Sequence, residues 1–219
     1  MFRLAAPPRL PLLAPLPALA VRRARISGLT LIELMVTLAI MAMVGFLATP
    51  SLRAIAASNA LRGTTAEFLS AVQLGRSEAL RLGRRVTLCR SFDQATCDTD
   101  ANRRWDSGWI IFIDNDRGNS GAPAVSPSDV ILARRGPVTA DLRLVGNTPV
   151  ADFLSFASDG RGKTMQGSFL VGTLRVCSTS SALKDQQRSI DLVLSKSGRV
   201  TVNAGIPVDA QCPAKCSSC

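Results

Sequence analysis

Gly28-Leu29-Thr30-Leu31-Ile32-Glu33-Leu34 opens an apolar run that continues to Thr49, and the reading of this run decides the fold. The 21 residues from Leu29 to Thr49 carry a single charge, that of Glu33. At about 1.5 Å of rise per residue, a helix of this length is roughly 30 Å long, enough to cross the hydrocarbon core of a bilayer. An ionisable group inside a membrane is costly, so a carboxylate near the start of the run reads as functional. Arg22, Arg23 and Arg25 stand just before it and place its N-terminal side in the cytoplasm by the positive-inside rule. The run exceeds the apolar region of a secretory signal peptide and lacks an A-x-A exit.

A basic leader, a glycine, and then an apolar helix with Glu at its fifth position resemble the prepilin cleavage motif of type IV pilins and pseudopilins. The resemblance implies cleavage by prepilin peptidase between Gly28 and Leu29, and methylation of the new N-terminus at Leu29. It also implies that Glu33 meets the N-terminal amine of a neighbouring subunit. Leu29 departs from the family, which usually has Phe there. Pro50 falls where pilin helices often carry a proline, and a kink or local opening is expected at that point. An ordinary signal anchor or an uncleaved membrane helix is the alternative. Residues 7–20 (PPRLPLLAPLPALA) are unlike a compact prepilin leader, whereas VRRARISG, starting at Val21, has the expected form. A true start near Val21 or Leu19 is therefore expected.

The resulting organisation is a leader over residues 1–28, a membrane and assembly half-helix over 29–50, an amphipathic half-helix over 51–85 and a head over 86–219. The head's length suffices for one small domain with its own core. The net charge of +10 owes half its value to five arginines in the leader, which has no acid. The rest permits a nucleic-acid or acidic partner without requiring one. The chain has no His and no Tyr, which removes the commonest general base and the commonest metal ligand. No nucleophile–base constellation appears, so a membrane-anchored periplasmic enzyme is the weakest reading; no cofactor and no metal are expected.

Six cysteines beyond a membrane helix point to an oxidising periplasm. Cys89 and Cys97 bracket a short loop and are natural partners. Cys177, in a strand-like run, and Cys212 would pin the tail to the head. Cys216 and Cys219 form a CxxC without the context that a redox or zinc site needs, which leaves a third disulfide or frayed thiols.

After Pro50 the helix is expected to run to about Leu82, with Leu52, Ile55, Leu61, Phe68, Val72 and Ala79 on its apolar stripe and Gly83 at its C-terminus. Eight short strands follow: Val86–Cys89, Trp109–Ile113, Val130–Ala133, Leu142–Val145, Phe153–Phe156, Phe169–Cys177, Ser189–Leu194 and Arg199–Asn203. They are β-branched or aromatic and separated by turn residues. The expected fold is α+β, type IV pilin-like, with the long N-terminal helix covering one face of an antiparallel sheet. Asp114-Asn115-Asp116 invites a calcium reading but lacks the downstream Glu of an EF-hand.

Five local patterns, in order, are similar to the GspH/FimT branch of minor pilins and pseudopilins. They are Arg76–Arg81 (RSEALR), Val86–Cys89 (VTLC), Trp105–Asp114 (WDSGWIIFID), Leu154–Arg161 (LSFASDGR) and Ser195–Val200 (SKSGRV). The resemblance implies a subunit that primes or caps assembly of a type IV pilus or a type II secretion pseudopilus. Other major and minor pilins, prepilin peptidase and the inner membrane would be its partners. The head would be periplasmic on a single-pass anchor, and filament-associated after assembly. A second implication is FimT-like DNA binding in natural transformation, which is linked to G-R-x-R. Here Gly198-Arg199-Val200-Thr201 keeps the first Arg and has Thr for the second. Lys196, Arg188, Arg161, Lys163 and Lys215 could supplement Arg199 as phosphate contacts, with affinity falling steeply as salt rises. The plainer reading of Gly198-Arg199 is a hairpin turn with a solvated Arg.

Overall fold

A stretch rich in Leu and Ala from Leu31 to Leu82, closed by a glycine, forms one helix of 52 residues, α1 (Leu31–Leu82). The computed structural model describes residues 28–116 and 121–204, apart from the side chains of residues 47–50. The backbone stays helical through Pro50. Thr30 caps the start: its hydroxyl accepts from the Glu33 N–H at 3.3 Å, and its carbonyl accepts from the Leu34 N–H at 3.1 Å. At the other end Gly83 adopts φ 63°, the left-handed turn that ends many helices.

The chain forms two compact units, Met1–Gly45 and Phe46–Cys219. The described part of the first is bare helix. Its apolar residues all face outward, from Leu31 at 77% exposure to Val44, and α1 is long and apolar enough to cross a membrane.

In the second unit, Leu61, Thr65, Phe68, Val72 and Ala79 recur at three- and four-residue steps and are buried. Gly75 completes the row, where a side-chain carbon would touch Phe156 and Val86. Leu52 and Ile55, expected on the same stripe, are exposed, because the row meets the head only from Leu61 onward.

All eight expected strands form: β1 (Arg85–Arg90), β2 (Trp109–Asp114), β3 (Val130–Arg135), β4 (Leu142–Gly146), β5 (Phe153–Phe156), β6 (Gly172–Ser178), β7 (Ser189–Leu194) and β8 (Val200–Ala204). They build two antiparallel four-stranded sheets, ordered β3-β2-β1-β5 and β4-β6-β7-β8, where one sheet was expected. The strand expected from Phe169 starts at Gly172 instead. Leu170 is held by its N–H to the Gly162 carbonyl at 2.9 Å, and Phe169 bridges to Lys163.

Alternate residues of both sheets and the helix row share one core. Phe68 meets Trp105 and Trp109 edge-on at centroid distances of 5.2 and 5.1 Å. Trp105 is fully buried and donates from Nε1 to the Val150 carbonyl at 3.0 Å. The opposite face of the first sheet is covered as well: Cys89, Ile110 and Phe112 pack with Cys97, Val125 and Ile131. That accounts for the unbroken burial of β1.

The Cys89–Cys97 disulfide closes the loop over this second cluster. Within it the Asp93 carboxylate accepts from the Thr96 hydroxyl, the Thr96 and Ala95 N–H groups and the Ser91 hydroxyl. The Thr96 bonds above all hold this carboxyl well below the usual range. Cys177 is also disulfide-bonded.

Candidate functional site

Two features carry the chemistry expected of this chain. The first is the start of α1. Gly28 and Leu29 lie exposed ahead of the helix, and Glu33 is exposed in its first turn. A carboxylate there complements the positive end of the helix dipole. The Thr30 cap and Glu33 form a T-x-x-E pattern, a capping signature that reading for cleavage alone passes over. The Glu33 carboxylate is the one acidic group in a turn of leucines and isoleucine, on a helix exposed on every side.

The second feature is a pair of turns held together by Arg76. Its Nε donates to the Gly160 carbonyl at 3.0 Å and its Nη2 to the Ser197 carbonyl at 3.2 Å. This brings the turn containing Arg161 against the β7–β8 hairpin containing Lys196 and Arg199, all three of which are exposed. The hairpin closes through Gly198 N–H to Ser195 carbonyl and Ser195 N–H to Arg199 carbonyl, both at 2.9 Å. Gly198 sits at φ 77°, and a side-chain carbon there would fall 2.1 Å from the Gly160 carbonyl oxygen. Only glycine fits that approach. Thr201, at the second position of the basic pattern, is exposed on β8.

The remaining basic candidates separate. Lys163 is half-buried, its ammonium 3.8 Å from the centre of the Phe169 ring. Arg188 is corrected as a phosphate contact. It is 4% exposed, with Nη1 donating to the Ser178 carbonyl at 2.9 Å and Nε to Asp185 at 3.2 Å. Lys215, Cys212, Cys216 and Cys219 lie outside the described residues. Among the described residues, no three His, Cys, Asp or Glu side chains converge to hold a metal. The acids of the 114–129 loop close the loop instead. Asp129 accepts from the Asn115 and Ser126 N–H groups, and the Ser126 and Ser128 hydroxyls hold the Asp116 carboxyl below its usual range.

The family described as type II transport protein GspH matches residues 64–198. The chain belongs to the GspH family. A prokaryotic N-terminal methylation motif matches residues 23–49, the stretch that holds Gly28, Leu29 and Glu33. Together these matches make the chain a type IV pilin-like subunit of the minor pilin and pseudopilin class. The chain is also similar to the type IV minor pilin FimU of Pseudomonas aeruginosa in two crystal forms, both at 18% identity. One match covers 71% of this chain and 96% of FimU with a TM-score of 0.48. The other covers 69% and 99% with a TM-score of 0.45. No match was found among curated proteins.

Within this GspH-family chain, Arg76 is the residue that reading by motif undervalued. It belongs to the quoted RSEALR run, yet nothing local reveals that it reaches two turns 84 and 121 residues away. Arg84 adds a further exposed cation close by, bonded to Asn115 at 3.2 Å in a polar cleft that Ala157 and Ser158 also line.

Proposed function

We propose that this chain is a minor pilin or pseudopilin that primes or caps a filament of a type IV pilus or a type II secretion system. Prepilin peptidase cleaves between Gly28 and Leu29, and Leu29 is then methylated. The half-helix over 29–50 holds the precursor in the inner membrane with its head in the periplasm. On assembly it enters a bundle of like helices. The observation that carries this reading is the bare, all-round apolar helix with one carboxylate, that of Glu33, in its first turn. In hydrocarbon a lone carboxylate is costly, and a neighbour's N-terminal amine relieves that cost. The role is structural and needs no catalytic group. The test uses a Glu33→Ala precursor expressed beside its partner pilins. Immunoblots should show normal processing, while the subunit recovered in sheared filaments falls to near background. Undiminished incorporation of Glu33→Ala would sink the proposal.

A second reading, DNA binding during uptake, is supported by the exposed Arg161, Lys196 and Arg199 on two abutting turns. Phosphate contacts made by such a cluster depend strongly on salt. Arg199→Ala should weaken binding of duplex DNA regardless of sequence and lower the slope of log K against log salt by about 1. An unchanged slope removes this reading and leaves Arg199 as a solvated hairpin residue.

A further inference from the structure

We infer that the outer edge of β8 receives an extended, acidic segment of a neighbouring subunit's head, added as a further strand to the second sheet. This rests on the reading of the chain as a filament subunit and adds the place where another head engages it. The two sheets have four edges, β3 and β5 on the first and β4 and β8 on the second. Three of them carry devices that keep a strand edge from pairing with other chains. β5 is already continued by residues 161–163: the Ala157 and Lys163 N–H groups donate to the Arg161 and Ser155 carbonyls at 3.0 and 2.9 Å. β3 bulges at Leu132, the residue skipped between the Ile111–Ala133 and Phe112–Ile131 pairs, and it ends in Arg134 and Arg135. β4 lies beside the turn Trp105–Ser107, whose Asp106 pairs with Arg143 at 3.7 Å.

β8 has none of these devices among the described residues. Its sequence, VTVNA, has no charge and no proline, its pairing with β7 runs without a shift, and all of it but Val200 is exposed. The register also tells which backbone groups are left over. The Ser195 N–H donates to the Arg199 carbonyl at 2.9 Å, which makes these two residues a hydrogen-bonded pair. Bonded and non-bonded pairs alternate along an antiparallel ladder. Thr201 and Asn203 therefore bond to Val193 and Asp191, while the N–H and C=O groups of Val200, Val202 and Ala204 point away from β7. Such a row of alternating donors and acceptors is what an added strand pairs with.

The side chains mark the same edge. Val202 lies opposite Leu192, a core residue, so it faces the α1 side of the sheet, yet it is 45% exposed. At the Ala204 end a groove of about 510 Å³ opens between Ala54, Ile55 and Arg62 of α1 and Ile190 and Ala204 of the sheet. Ile55, on its wall, is 56% exposed. An added strand places alternate side chains against Val202 and into this groove, closing the layer between helix and sheet that β8 leaves open. Charge selects the occupant. Arg62 is exposed in the groove, and Lys196 and Arg199 are exposed on the turn at the opposite end of β8. The acids nearby are engaged: Asp191 holds Arg175 at 2.6 and 2.8 Å, and Asp185 holds Arg188 at 3.2 Å. A second copy of β8 brings the same cations and no acid, whereas a strand bearing Asp or Glu is attracted at both ends.

A photo-crosslinking side chain on β8 tests this. The full chain carrying Thr201→p-benzoylphenylalanine is expressed with its partner pilins and irradiated in cells, and the adducts are digested and mapped by mass spectrometry. The expected adduct joins position 201 to one segment of a partner pilin that bears at least one Asp or Glu. Adding Val202→Pro removes an N–H that β7 does not use, and should lower this adduct at least tenfold with the tryptophan fluorescence of the head unchanged. Arg62→Glu combined with Lys196→Glu, both at exposed sites outside the ladder, should lower it as much, and supplies the readout if the proline unfolds the head. No adduct, an adduct confined to this chain's own residues or to a second copy, or an adduct that survives either folded variant would overturn the inference. A chain that reaches sheared filaments without the adduct overturns the docking edge alone. A chain absent from those filaments overturns the filament role on which it rests.

Discussion

Phe68 is where the helix, both tryptophans and the two sheets converge. Its ring is fully buried and edge-on to Trp105 and Trp109, so truncation removes apolar area and leaves a cavity that rigid aromatic neighbours cannot fill. Phe68→Ala should cost about 3–5 kcal/mol of stability. Trp105 and Trp109 are the only tryptophans in the chain, so chemical denaturation followed by their fluorescence reports this site directly. A loss below about 1 kcal/mol would mean that the aromatic cluster is not the keystone of the core. At this scale the sequence was informative for helix residues, since Leu61, Phe68, Val72 and Ala79 announce themselves by spacing. It was uninformative for long polar side chains. Arg188 and Arg161 look alike in the sequence, and only the folded positions of Ser178 and Asp185 turn one inward and leave the other in water.

At the scale of elements, the Cys89–Cys97 loop is held twice, by its disulfide and by the Asp93 carboxylate gathering donors from Ser91, Ala95 and Thr96. Because the folded state lowers the pKa of Asp93, its contribution is complete above the ordinary carboxylate value near 4 and is lost as pH falls through the lower folded value. The loop amides of Ala95 and Thr96 should therefore keep their NMR shifts from neutral pH to about pH 4 and move only in stronger acid. An Asp93→Ala chain should show the displaced shifts already at pH 7. Movement of the wild-type amides between pH 7 and 5 would contradict this account. Strand positions were legible because each is a short apolar run between turn residues. The division into two sheets was not. Alternation tells which way a side chain faces, but whether β5 lies beside β1, and β4 beside β6, is decided by pairings between residues some 30 to 70 positions apart.

For the whole molecule, anchor and head raise different questions. The anchor reads plainly from sequence because crossing a membrane imposes length and composition directly. The head's task is written in surface groups whose grouping depends on the fold, as with Arg161, Lys196 and Arg199, which Arg76 draws together from separate loops. The comparison of Glu33→Ala with Arg199→Ala separates the two. The first should abolish filament entry with DNA affinity intact, and the second should leave filament entry intact whichever reading of Arg199 holds.

The single row of buried residues on α1 also has a mechanical meaning. Leu61, Thr65, Phe68, Val72 and Ala79 are seated in the head side by side along the helix axis, and Arg76 clamps the same helix to two turns. A tug delivered lengthwise through the helix loads all of these anchorages in parallel, as a shear, and none can be peeled before the others. A sideways force at Leu61 would instead open them one at a time. A head seated this way resists sliding along the axis of residues 61–79 better than prying at Leu61.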